Sequence, residues 1–159
     1  MEQQRAIPTP GGKSGDTPTC GIAQGTMVLT LDGPLPVETL APGDRIVTRA
    51  GAGRLTSIQV TQLAQARMVR IAPDVLGLGR PEGEVLVAAD QPLLIRDWRA
   101  QVLYGAAQAL VPAARLADGQ YIRVEQMTDI RIFTLHLQGA AVIYVGGLEL
   151  ACEAEPVVA

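Results

Sequence analysis

Short apolar runs separated by turn residues recur along most of this chain, and they constrain its fold more than any other feature. Runs of about four to eight residues bounded by glycine, proline and aspartate are typical of strands. The sequence predicts strands over residues 26–31, 45–48, 56–63, 68–72, 84–87, 93–96, 120–126, 131–137 and 141–145. This pattern indicates an all-β domain.

The clearest alternation lies in residues 131–137. It places Phe133, Leu135 and Leu137 on one face of a strand and Thr134 and His136 on the other. We therefore expect a half-buried strand there, with His136 on its polar side as an ordinary surface histidine.

One segment departs from the strand pattern. Residues 101–116 are rich in alanine and leucine, but Gly105 weakens a helix and Pro112 interrupts it. We expect at most one or two short helical turns.

The two ends of the chain differ in composition from its middle. Residues 1–19 hold proline, glycine, serine and threonine with few large apolar side chains, so they are expected to form a flexible arm. The folded domain is predicted over 20–152, and residues 153–159 are predicted to form a tail.

Charge and composition exclude several classes of function. The net charge is −3 and the arginines are dispersed, so no basic stripe for nucleic acid is present. No apolar stretch is long enough to span a bilayer, and the N-terminus lacks an apolar signal region. We expect a soluble protein without membrane contact, cytoplasmic by default, although export by a signal-independent route stays open.

No cofactor or metal is expected. The two cysteines, Cys20 and Cys152, have no neighbouring histidine and supply too few ligands for a tetrahedral zinc site. The loop at residues 77–83 superficially resembles a phosphate loop but lacks its lysine, so we interpret it as a hairpin loop.

Three motifs stand in order near the start of the predicted domain. Cys20-Gly-Ile-Ala begins it, Gly25-Thr26 follows, and Pro42-Gly43-Asp44 forms a turn before the next strand. Together they resemble the opening of a Hint domain, the self-cleaving module of inteins and hedgehog proteins. Segments 110–119 and 133–152 are also similar to that family, so the resemblance covers 20–152 and is nearest to bacterial stand-alone Hint domains.

The resemblance implies a horseshoe of short, mostly antiparallel strands. It also implies a chemistry in which a cysteine attacks the preceding carbonyl, a histidine assists and a terminal asparagine cyclises. Cys20 stands one residue early relative to Gly25, because the family spacing falls on Gly21. Either the loop has gained a residue and Cys20 is the nucleophile, or the nucleophile position has been lost. Gln91 falls on the assisting histidine, and an amide cannot transfer a proton near neutral pH.

The closing segment departs from the family in the same way. The family's aspartate, histidine, penultimate histidine and terminal asparagine fall here on Thr134, Ala141, Ala151 and Cys152. The whole sequence contains no asparagine, so splicing by asparagine cyclisation is excluded.

We therefore expect a Hint-fold domain that has lost its chemistry and binds an unidentified protein partner or plays a structural role. The alternative is a slow self-cleaving domain, whose partner is its own backbone. In that case Cys20 attacks the Thr19 carbonyl, Asp90 or Gln91 orients the scissile amide and Thr26 lies nearby. His136, where the family has a threonine, is then either an ordinary surface histidine or a substitute base.

Two further interpretations concern single features. The fold implied by the resemblance would bring Cys20 near Cys152, either as separate thiols or as a disulfide in an oxidising compartment, which would allow a redox-responsive domain. Trp98, with charged neighbours including Asp90, Arg96 and Arg99, is either a solvated loop or a recognition surface.

Overall fold

The structure, a computed structural model, describes residues 21–152. The expected arm at 1–19, Cys20 and the tail at 153–159 lie outside the described residues. The strands are β1 (Ile22–Ala23), β2 (Met27–Thr30), β3 (Gly33–Pro36), β4 (Arg45–Thr48), β5 (Gly51–Ile71), β6 (Val85–Ala88), β7 (Pro92–Ile95), β8 (Ala109–Pro112), β9 (Ile122–Leu137), β10 (Ala141–Val145) and β11 (Leu148–Cys152). One helix, α1 (Trp98–Tyr104), and two short 3-10 turns, Val37–Thr39 and Ala113–Leu116, complete the described part.

The described strands pair in the order β6-β1-β9-β5-β4-β2-β10-β11-β7-β8, and β3 pairs with β2. A further pairing of β6 with β5 closes the first part of this path into a ring of four strands. The pairings are antiparallel, so the domain is the all-β fold that the sequence predicts.

Two strands are much longer than predicted. The predicted strands 56–63 and 68–72 fall in the single strand β5, apart from residue 72, and the predicted strands 120–126 and 131–137 fall in β9, apart from residues 120 and 121. The two strands pair from Leu55 opposite Leu137 to Ile71 opposite Ile122, with an irregularity next to Thr56. The prediction of separate short strands was wrong. Side chains in the middle of this ribbon are largely exposed, so the sequence there has no apolar pattern typical of a strand, and hydrogen bonds between β5 and β9 hold the backbone extended.

The helix begins earlier than the predicted segment. The side chain of Asp97 accepts a hydrogen bond from the backbone N–H of Arg99 at 2.9 Å and caps the helix, which ends at Gly105 with a φ of 65°. Residues 109–112 form β8 instead of continuing the helix, because Gly105 already ends it and Pro112 could not extend it. Trp98 is therefore the first residue of a helix and not part of a loop.

The main core is formed by apolar side chains from most of the strands, which pack against one another. Phe133, Leu135 and Leu137 are at most 4% exposed, as the alternation predicts. A smaller apolar cluster around Met68 and Ile132 covers the opposite face of the ribbon. Residues 77–83 lie within the connection between β5 and β6, which pair antiparallel, so their assignment to a hairpin loop is confirmed.

Candidate functional site

A pocket of about 610 Å³ lies where the two ends of the described chain meet. Gly21, at one end, and Cys152, at the other, both line it. Its wall is mainly apolar, with Phe133 and Leu150 among the lining side chains. A cavity of this size is typical of ligand sites.

Gln91 holds the two ends together. Its Oε1 accepts a hydrogen bond from the Gly21 N–H at 2.8 Å, and its Nε2 donates to the Ala151 carbonyl at 2.9 Å. A second bond from Nε2 reaches the Pro92 carbonyl at 3.1 Å. Because the side chain is buried, with 4% of the residue exposed, these bonds also satisfy backbone groups that water does not reach. We call this arrangement the Gln91 clamp.

Gly21 packs against β9 more closely than any other residue type could. Its φ is +134°, and a Cβ built on it would lie 2.6 Å from Cγ2 of Ile132 and 3.0 Å from Oγ1 of Thr134. Glycine is therefore required where the chain enters the pocket.

His136 also lines the pocket, which corrects the expectation of an ordinary surface histidine. It shares a face of β9 with Thr134, as alternation predicts, and both residues line the pocket and are only partly exposed. Its Nδ1 is buried, and no residue of the described chain forms a hydrogen bond with it.

The other sequence-predicted site residues separate into two groups. Cys152 lines the pocket with Gln91, as do Ala141 and Ala151. Asp90 is exposed and is not among the lining residues. Thr26 lies at a different cavity, where its hydroxyl donates to the Ala23 carbonyl at 2.7 Å and stabilises a turn.

The family and fold of the chain follow from comparison with known proteins. The model of the Hint domain family matches residues 20–154. The chain belongs to the Hint domain family. No curated protein matches it significantly.

Solved structures confirm the fold of this Hint domain. The solution structure of a bacterial intein-like domain from Clostridium thermocellum is 14% identical with a TM-score of 0.59, over 86% of this chain and 99% of that one. A DnaB intein from Synechocystis sp. PCC 6803 is 9% identical with a TM-score of 0.55, over 86% and 99%. The gp41-1 intein is 12% identical with a TM-score of 0.52, over 82% and 97%. At such identities the likeness concerns fold alone.

A second polar centre of this Hint domain has no counterpart in the sequence analysis. Glu149 on β11 accepts hydrogen bonds from Arg49 at 2.5 Å, Arg96 at 2.6 Å and Arg80 at 2.8 Å. The Glu149 side chain is 2% exposed, whereas the arginines are 28–41% exposed. The hydrogen bond and the charge of Glu149 raise the pKa of Arg49. We call this group the Glu149 centre.

The described residues hold neither a metal-binding cluster nor a membrane-spanning helix. Within residues 21–152, no group of three histidine, cysteine, aspartate or glutamate side chains could hold a metal ion. No helix in that part of the Hint domain is long and apolar enough to cross a membrane.

Proposed function

We propose that this Hint domain has lost the self-cleaving chemistry associated with its fold and acts as a binding module for a protein partner. The Gln91 clamp is the observation that supports this proposal most directly. It occupies the position that the family resemblance gives to the assisting histidine.

Both ends of the Gln91 amide are occupied by backbone hydrogen bonds, so neither end is available to assist a reaction. Its acceptor is engaged by Gly21 and its donor by Ala151 and Pro92. A carboxamide does not gain or lose a proton near neutral pH, so it holds the backbone but does not catalyse proton transfer. Loss of such assistance is typically worth about 100- to 10,000-fold in rate.

The remainder of the pocket supports the same proposal. Ala141 and Ala151 present methyl groups at two positions where the resemblance implies histidines. The pocket therefore offers a mainly apolar wall, which suits the binding of a side chain better than proton transfer.

The test is the intact mass of the purified full chain after several days with excess thiol. We expect the wild type and Cys20→Ala to keep their full mass to the same extent. Release of residues 1–19 from the wild type, but not from Cys20→Ala, would overturn the proposal. Gln91→His adds a positive comparison, because cleavage that appears only in this variant would show that the glutamine is what blocks the reaction.

A second candidate function is slow self-cleavage, and the position of His136 favours it. His136 lines the same pocket as Gly21, and its buried Nδ1 has no hydrogen-bond partner in the described chain. In this reaction the Cys20 thiol loses its proton and attacks the Thr19 carbonyl. The Thr19–Cys20 peptide bond breaks, the freed amine takes up the proton, and water hydrolyses the thioester. Cleavage that stops in His136→Gln would support this candidate, and cleavage unaffected by it would exclude the histidine.

A further inference from the structure

We propose that the Glu149 centre is a binding site for a phosphoryl group, held by N–H groups of Arg49, Arg80 and Arg96 that Glu149 does not use. The site is separate from the pocket where the chain ends meet, since none of these four residues lines that pocket. The inference therefore does not depend on whether this Hint domain cleaves itself.

The three guanidinium groups lie close together. Arg80 and Arg96 each donate from Nη2 to the same atom, Oε1 of Glu149, at 2.8 and 2.6 Å. Arg49 donates from Nη1 to Oε2 of the same carboxylate at 2.5 Å. Because a carboxylate is small, all three cations meet at one place, although they come from three separate connections between strands.

Glu149 does not balance the charge that surrounds it. One carboxylate and three guanidinium groups leave a net charge of +2 after every ion pair of the centre is counted. The acidic residues beside these arginines in the sequence do not reverse that sign. Asp97 pairs with Arg99. Glu82 forms no ion pair within residues 21–152, and counting its charge as well would still leave +1. Like charges at short range repel, so an added anion stabilises the centre.

The arginines cover Glu149 but stay accessible to solvent. The Glu149 side chain is buried, whereas all three arginine side chains are partly exposed, and Arg96 is the most exposed at 41%. A guanidinium has five N–H donors, and each of these guanidinium groups donates one of them to Glu149. Because the carboxylate lies beneath the arginines, their remaining donors are available to a ligand from solvent.

Tyr144 places a hydroxyl group beside the arginines. It pairs directly with Glu149 across β10 and β11, and side chains directly opposite each other lie on the same face of a sheet. Glu149 contributes most to the raised pKa of Arg49, and Tyr144 raises it further. The phenolic O–H therefore adds a neutral donor on the same side of the sheet as the guanidinium groups.

Charge and donor number favour a phosphoryl group over a carboxylate. A phosphoryl group carries a charge of about −1.5 to −2 at pH 7 and three strong acceptor oxygens. It would neutralise the remaining charge and offer one oxygen to each arginine, whereas a carboxylate has one charge and two oxygens. Arginine clusters commonly recognise phosphoryl groups in this way. The same contacts would hold a free phosphate ion or a phosphorylated side chain of a partner protein.

The first test titrates inorganic phosphate into the full chain at pH 7 and constant ionic strength, followed by two-dimensional NMR. We expect saturable shifts in signals from Arg49, Arg80 and Arg96, and weaker binding of acetate. A glycine–phosphoserine–glycine tripeptide with blocked ends separates the two sources. Tighter binding of the tripeptide than of inorganic phosphate would indicate a phosphorylated partner, and binding of inorganic phosphate alone would indicate a free ion.

One variant and a matched control test the residues. Arg96→Gln leaves Glu149 with two arginines, so the fold should be kept, which circular dichroism checks. Loss of one charged hydrogen-bond donor should weaken phosphate binding about tenfold. Arg131→Gln removes the same charge from an exposed arginine of β9 that forms no ion pair within residues 21–152. It should change the affinity less than about twofold, because salt screens charges outside the site.

A measurement on the wild type does not depend on whether a variant folds. Phenylglyoxal modifies accessible arginines, and mass spectrometry of the digested protein locates each modified residue. Phosphate should slow the modification of Arg49, Arg80 and Arg96 and leave that of Arg131 unchanged.

Four results would overturn the inference. They are no saturable binding of either phosphate probe, equal binding of acetate, equal affinities of Arg96→Gln and Arg131→Gln, and equal protection of all four arginines. None of these results alters the intact-mass experiment, so loss of cleavage and binding of a phosphoryl group are judged separately.

Discussion

The Gln91 clamp and the Glu149 centre are both buried polar side chains that join distant parts of the chain, but they do so by opposite means. Gln91 is neutral and bonds backbone groups on either side of the pocket. Glu149 is charged and is surrounded by three arginines from the β4–β5 turn, the β5–β6 loop and the segment after β7.

The two centres differ in how much folding stability is lost when their side chain is replaced. A neutral amide is stabilised by its hydrogen bonds alone. Removing it leaves buried backbone groups without a partner, which costs about 1–3 kcal/mol in the free energy of unfolding. A charge removed from water depends on its partners far more strongly, and breaking a buried ion pair costs about 3–5 kcal/mol. We therefore expect the Glu149 centre to matter more for stability and the Gln91 clamp to matter more for the geometry of the pocket.

The largest effect is expected from Glu149→Gln. The amide has almost the same shape, but its NH₂ group faces arginines that only donate, so we expect a loss of about 3 kcal/mol in the free energy of unfolding. Urea denaturation measures it. The matched control is Glu125→Gln, because Glu125 also binds two arginines, Arg70 and Arg123, but is 28% exposed. The control should lose no more than about 1 kcal/mol, and equal losses would show that burial is not what separates the two sites.

A smaller effect is expected from Gln91→Met. The apolar side chain fills a similar volume but leaves the Gly21 N–H and the Ala151 carbonyl without their partner, so the loss should be about 1–2 kcal/mol. Gln62→Met is the control, since Gln62 forms one exposed bond to Asp129. Faster hydrogen exchange at Gly21 in Gln91→Met would localise the effect to the clamp. If Gln91→Met is as stable as Gln62→Met, the clamp does not stabilise the fold.

The smallest effect is expected at Asp118, which is charged like Glu149 but exposed. A substitution there tests the effect of a charge without burial. Backbone N–H groups of Ile122, Gln120 and Tyr121 bind one of its oxygens and lower the pKa of its carboxyl group. A carboxylate with a lowered pKa stabilises the fold above its unfolded pKa of about 3.9 and loses that contribution as the pH falls further. Asp118→Asn should therefore lower Tm by about 2 °C at pH 7. The difference from wild type should shrink at pH 3, and a difference that does not change with pH would contradict the assigned cause.

The site was partly predictable from the sequence. Gln91 was identified because a family resemblance fixed its position, and the structure places it at the meeting of the chain ends. The Glu149 centre was not identified, because Arg49, Arg80 and Arg96 have no regular spacing and meet only after the strands have paired. His136 was predicted in part. Alternation places it correctly on the same face of β9 as Thr134, but only tertiary packing decides that it lines a pocket.

The fold was predicted in class but not in detail. Glycine and proline turns marked strand ends well, since their backbone preferences are local. The continuity of β5 and β9 was missed because pairing between strands holds their exposed middle. β8 was missed because Ala109 and Leu110 continue the alanine- and leucine-rich stretch from residue 101, and that stretch was interpreted as helical turns before Pro112.

The long ribbon of β5 and β9 also bears on how the domain is made. Its pairs join residues as distant as Leu55 and Leu137, and the Gln91 clamp requires Ala151. Contacts between such distant positions slow folding, because a large loop must close before they form. During synthesis β5 is made long before its partner and exposes an unpaired edge, so the growing chain depends on late residues to become protected.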